Sequence, residues 1–112
     1  MSAALDARRQ MVPRVVIRLD FSAGRIGHGK IETLEQVAAT GSIASAARAL
    51  GMSYPRALAL ITEIDKALGA PATRRVAGGA HGGGAMLTAP GRDIVARYRA
   101  IEAAAQHYAE TL

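Results

Sequence analysis

A mainly α-helical fold with a small β-wing is predicted by three features of this 112-residue chain. Apolar residues recur at helical spacing in four segments, punctuated by Gly41, Ser42, Gly51, Ser53 and Thr88 at positions suited to helix ends. Two short strand-like runs, "ATRRVA" and "AMLT", flank a stretch in which Gly78 to Gly84 hold five glycines around His81. The core has few large residues: the only aromatics are Phe21, Tyr54, Tyr98 and Tyr108, so alanine and the aliphatics must fill it. Such a core suits close helix–helix contact and not a deep ligand pocket.

The elements follow in order. Residues 1–13 are expected to form a flexible N-terminal segment. From Val15, "VVIRLDF" alternates, with Val15, Ile17, Leu19 and Phe21 on one side, which predicts a half-buried strand; "SAGRIGHG" then turns the chain. In "KIETLEQVAAT", Ile31, Leu34 and Val37/Ala38 mark a first helix that Gly41 stops. Ser42 is placed to cap a second helix, with Ile43, Ala46, Ala47 and Leu50 on its apolar face, and Gly51 follows its end. Ser53 caps a third helix, 53–68, whose Ala57, Leu60, Ile61, Ile64 and Leu68 face inward; Pro55 lies in its first turn, where a missing N–H costs little. The two strands and their glycine tip make a wing over 74–88. Thr88 and Pro90 then open a long helix, 89–112. A single domain over 14–88 with a helical extension fits this length.

Two helices joined by Leu50-Gly51-Met52-Ser53 make either a plain αα-corner or a DNA-reading helix–turn–helix. The finer pattern favours the second. Ala47 is small where the helices cross, Gly51 sits at the turn, and Ala46, Leu50, Met52, Ala57 and Leu60 hold the pair together. Arg56 occupies the first turn of the third helix, where the helix dipole disfavours a cation and a phosphate or guanine edge compensates. Tyr54 beside it can bond a phosphate or pack on a sugar, or its ring can simply cover the core. Arg74 and Arg75 alternate along the wing, so at least one points outward. The glycine tip allows close backbone approach to phosphates, and His81 there either enters a minor groove or is solvated. Together these features predict a winged helix–turn–helix.

At this point the chain resembles the N-terminal domain of the ModE-type molybdate-responsive transcription regulators, which are related to the LysR-type DNA-binding domain. The resemblance spans about residues 14–102 and is carried by "GHGKIETLEQVAATGSIASAARALGMSYPRALALI", "GGAHGGGAMLT" and "LTAPGRDIVARYRAIE" in that order. It implies a homodimer that reads an inverted repeat in double-stranded DNA, with the third helix in the major groove and the wings on flanking DNA. By matched position, Ser53, Tyr54 and Arg56 carry the groove contacts and the wing around Arg75 and His81 flanks them; Ser42, Lys30 and Arg74 complete the candidate contact set. Full-length members continue into tandem molybdate-binding domains, whereas this sequence stops at Leu112, so a stand-alone member or a DNA-binding fragment is expected, with its oxyanion or small-molecule effector unassigned. The apolar position after Ala57, often tryptophan in relatives, is Leu58.

Composition limits the rivals. Net charge is +5, carried by 12 Arg and 2 Lys, which favours a polyanionic partner. Without cysteine there are no disulfides and no thiolate zinc site, and His28, His81 and His107 are not at ligand spacing, so no metal or other cofactor is expected. No apolar run approaches the ~18 residues of a membrane span, and the first ten residues lack a signal peptide's apolar stretch; a cytoplasmic, nucleoid-associated protein without membrane contact is expected. "GRIGHGKI", Gly24 to Ile31, reads G-x-x-x-x-G-K as in a phosphate-binding loop, but Ile31 stands where a Mg²⁺-coordinating hydroxyl belongs. Nucleotide binding through Gly24–Lys30 is therefore a remote alternative, no enzyme is expected, and Lys30 is assigned to a DNA phosphate or to solvent. A non-specific architectural DNA binder or a protein-interaction adaptor is the nearer alternative. Ile94, Tyr98, Ile101, Ala105, Tyr108 and Leu112 recur at spacings of 4, 3, 4, 3 and 4, a heptad stripe that predicts dimerisation; its first half can also pack on its own domain.

Overall fold

A computed structural model of the protein describes residues 11–77 and 83–112. Its elements are β1 (Arg18–Phe21), β2 (Gly24–Gly27), α1 (His28–Thr40), α2 (Ile43–Ala49), α3 (Tyr54–Leu68), β3 (Thr73–Val76), β4 (Gly84–Leu87) and α4 (Ala89–Ala109). The helices and the two wing strands stand close to where the sequence places them, except that α4 ends at Ala109 and leaves Leu112 beyond it. The N-terminal strand differs. Ladder pairing begins only at Arg18, and the segment read as a turn contains β2, antiparallel to β1 with Leu19 opposite Ile26 and Phe21 opposite Gly24. The turn itself is only Ser22–Ala23. Alternation holds as far as Leu19, which is half-buried, but Phe21 at the hairpin corner is exposed. First-helix residues also begin earlier than Lys30, at His28.

Burial follows the apolar spacing. Ile26 from β2, Ile31, Leu34 and Val37 from α1, Ile61 and Ile64 from α3, Leu87 from β4, and Ile94 and Tyr98 from α4 form one continuous core. The buried hydroxyl of Thr33 donates to the carbonyl of Gly29 at 2.8 Å, so this polar group is satisfied within its own helix. α4 also holds the N-terminal segment. Gln106 accepts from the Val15 N–H at 2.8 Å and donates to the Pro13 carbonyl at 3.1 Å, while the Tyr98 hydroxyl donates to the Ile17 carbonyl at 2.9 Å. Residues 13–17 thus run extended along α4 with side-chain amide and phenol in place of a partner strand.

The wing is fixed to the helices at two points. β3 and β4 pair antiparallel, Arg74 opposite Met86 and Arg75 opposite Ala85. The Ala85 N–H donates to the Gly41 carbonyl at 2.8 Å, joining β4 to the turn between α1 and α2. At the other end, Thr88 caps α4 by accepting from the Gly91 N–H, and its own hydroxyl donates to the Pro71 carbonyl at 2.6 Å. Gly91 is buried against the Ala72 carbonyl, where an added Cβ would overlap the oxygen. The first turn of α4 reaches the residue before β3 only because that position is glycine.

Candidate nucleic-acid interface

The turn between α2 and α3 is built by glycine and serine chemistry. α2 ends in a Schellman motif: the Met52 N–H donates to the Ala47 carbonyl at 2.9 Å and the Gly51 N–H to the Arg48 carbonyl at 3.1 Å, with Gly51 at φ +67°. Only a residue without Cβ takes that backbone cheaply. The chain then enters α3 through Ser53, whose hydroxyl oxygen accepts from the Arg56 N–H at 3.2 Å. Ser42 does the same for α2, accepting from the Ser45 N–H at 3.0 Å. Both serines therefore act first as caps, each keeping its hydroxyl hydrogen to donate outward.

The starts of α2 and α3 meet the wing. Tyr54, Arg75 and Gly84 line one small cleft of about 100 Å³ together with Ile43 and Ala44. Tyr54 is 41% exposed, and Arg56, Arg74 and Arg75 are all exposed. Both wing arginines reach solvent because the wing is a two-stranded ribbon. Ser42, Ser53, Tyr54, Arg56, Arg74 and Arg75 thus belong to the segments around this cleft, whereas His81 lies outside the described residues.

Lys30 is placed elsewhere. Its ammonium donates to the Arg25 carbonyl at 2.7 Å and lies 3.9 Å from Glu63, nine residues beyond Tyr54 or about 14 Å along α3. Its ammonium thus has partners within the chain, and a DNA phosphate would have to compete with the Arg25 carbonyl and Glu63 for it. The phosphate-loop reading of Gly24–Lys30 is corrected. Gly24–Gly27 is a paired strand and His28 is already helical, so the run does not form a loop that could cradle a phosphate.

Charge is partitioned along the chain in a way that net charge does not reveal. From Gln36 to Thr62, and again from Lys66 to Arg92, there is no Asp or Glu. Those two spans contain all of α2, the reading end of α3 and the whole wing, with Arg48, Arg56, Arg74 and Arg75. Spacing of acids, and not their number, was the signal that could have located this face.

A cluster of charged side chains joins α1 to α4. Arg99 donates to both oxygens of Glu35, at 2.9 and 2.7 Å, and to Glu102 at 2.7 Å. The guanidinium holds the Glu35 carboxyl below the usual carboxylate range, with burial opposing, and the two carboxylates raise Arg99 further above its ordinary value. His28 shares a 3.0 Å contact with Glu32. A cleft of about 480 Å³ opens beside this cluster, between residues 14–16 and α4. Its Arg99, Gln106 and His28 already have partners in the chain, which leaves few groups free to hold a small molecule. Among the described residues no group of His, Asp and Glu is arranged to hold a metal ion.

The family model for bacterial regulatory helix–turn–helix proteins of the lysR family matches residues 28–92. The chain belongs to that family. It is 39% identical over 85 residues to the molybdenum-pterin-binding protein MopB of Rhodobacter capsulatus, a match covering 76% of this chain and 32% of MopB. It is 41% identical over 85 residues to the molybdenum transport protein ModE of Azotobacter vinelandii, covering 75% and 32% respectively. The chain thus spans about a third of the length of these relatives. Its fold is similar to that in the crystal structure of the CbnR DNA-binding domain–DNA complex, with TM-score 0.58, 25% identity, and coverage of 74% of this chain and 90% of that one. The winged helix–turn–helix of a LysR- and ModE-like regulator is the fold this chain adopts.

The heptad stripe of α4 divides. Ile94 and Tyr98, read as dimerisation residues, are 5% and 0% exposed within the chain's own core and cannot meet a partner without unfolding it. Ala105 is half-buried, while Ile101, Tyr108 and Leu112 are 46%, 79% and 85% exposed. No helix among the described residues is long and apolar enough to cross a membrane.

Proposed function

We propose that this chain is a sequence-specific DNA-binding transcriptional regulator, acting as a homodimer on an inverted repeat. The observation that carries the reading is the convergence of α2's start, α3's start and the wing on one face whose segments carry arginines and no acids. Such a face attracts phosphate without paying for like-charge repulsion, and the tethered wing sets its width. In this reading α3 enters the major groove. Ser53 and Ser42 donate their hydroxyl hydrogens to backbone phosphates, Tyr54 packs on the sugar–phosphate chain, and Arg56 reaches a guanine edge. Arg74 and Arg75 lie on phosphates beside the groove. Dimerisation falls to the exposed half of α4.

Selection from random duplexes, followed by titration, tests the reading. An inverted repeat should be enriched, and Arg56→Ala should weaken binding to it by about 1–3 kcal/mol with little change on random duplex. Equal affinity of the unmodified protein for the enriched and random duplexes would favour an architectural binder instead.

A further inference from the structure

Around α3, at about 100° per residue, the buried Ala57, Leu60, Ile61, Ile64 and Ala67 occupy one side. Pro55, Leu58, Ala59 and Thr62 occupy the opposite side, with Tyr54 and Arg56 on its two margins. All four central residues are exposed, and Leu58 is 38% exposed. The one polar side chain among them is turned inward chemically: the Thr62 hydroxyl donates to the Leu58 carbonyl at 3.0 Å. With its donor used by the helix backbone, Thr62 contributes its methyl to an apolar strip. No charge lies on this strip's centre before Lys66.

An exposed helix face ordinarily carries polar groups, and the chain's own core does not use this one. Its surroundings limit what covers it. The strip lies between Tyr54 and Arg56 on α3, in a span free of acids as far as Thr62, and Tyr54 meets Arg75 of the wing in one cleft, so the occupant must offer apolar contact inside a negatively charged frame. DNA has one such group in the major groove, the C5-methyl of thymine. A helix whose central residues are small or purely apolar can also lie deep in that groove.

We propose that Leu58 and the Thr62 methyl read thymine methyl groups in the DNA half-site, adjacent to the base contacted by Arg56. The inference rests on the proposed DNA reading and adds to it which chemical groups of the site are recognised. Arg56 supplies selectivity by hydrogen bonding at one margin, and the strip supplies it by apolar contact at the centre.

Deoxyuridine differs from thymidine only in lacking that methyl, so it tests the contact without altering base pairing. With the full chain and the duplex enriched by selection, each thymine of one half-site is replaced in turn by deoxyuridine. Burial of one methyl predicts an affinity loss of about fourfold at a contacted thymine. The loss should shrink below about twofold in Leu58→Ala or in Thr62→Ser, which removes the methyl and keeps the hydroxyl bond to Leu58. Helical circular dichroism of both variants should match the parent, since both positions are exposed. An enriched site at which no deoxyuridine weakens binding, or at which parent and variants lose equally, would overturn the methyl contact while leaving DNA recognition standing. Failure to enrich any duplex would overturn both.

Discussion

The Tyr98 ring has no solvent contact, and its hydroxyl reaches across 81 residues of sequence to the Ile17 carbonyl. Burial pushes its phenol above the ordinary tyrosine range, so it stays a neutral donor at physiological pH. Tyr98→Phe would keep the packing and strand the Ile17 carbonyl, at a cost of about 1–3 kcal/mol measured by urea unfolding. A second residue-scale consequence concerns Glu35. Because Arg99 holds its carboxyl below the usual range in the folded state, its contribution is present above the unfolded carboxylate pKa. It is lost as pH falls through the lower folded value. Both side chains are about a third exposed, at 32% and 34%, so the pair contributes only about 1 kcal/mol. Thermal melts of Glu35→Gln and the parent should therefore differ most near neutrality, begin to approach each other below about pH 4, and converge only once pH has fallen through the lower folded value.

Within single elements, the turn residue Gly51 carries the geometry on which the two helices depend. At φ +67° an alanine would be strained by about 1–2 kcal/mol, so Gly51→Ala should lower the melting midpoint by several degrees. This turn was legible because cap chemistry is local: Ser42, Gly51 and Ser53 are each chosen by a backbone demand that neighbours cannot override. β2 was not legible, since Gly-Arg-Ile-Gly has two glycines and only Ile26 to bury, and its pairing depends on Leu19 across the turn. The partners of Lys30 within the chain were not legible for a related reason. A lysine's partner is set by what folds beside it, here a carbonyl from β2 and a carboxylate from α3. The alternation from Val15 did mark the burial correctly as far as Leu19, but alternation does not say whether a strand or a side-chain clamp meets the backbone. Gln106 and Tyr98 fill that place for residues 13–17.

For the whole molecule, periodicity alone could not divide α4, because a heptad stripe does not distinguish a neighbour in the same chain from one in a second copy. The structure makes the division between Tyr98 and Ile101. Beyond it, Ile101 and Tyr108 on α4 and Leu112 after its end are left to water in the single chain. Such a group of large apolar side chains left to water is ordinarily covered by a partner. A second copy would bring two α3 helices into a two-fold relation, as reading an inverted repeat requires. Ile101→Asp places a charge in that seam without touching the core, since Ile101 is 46% exposed in the single chain. Analytical ultracentrifugation should show the parent as a dimer and the variant as a monomer with an unchanged melting transition at low concentration. The variant should bind an isolated half-site as the parent does, but lose the additional affinity for the full inverted repeat that linkage of two half-sites supplies. A variant that still sediments as a dimer would place the interface elsewhere. A monomeric variant with full affinity for the repeat would separate dimerisation from DNA reading altogether.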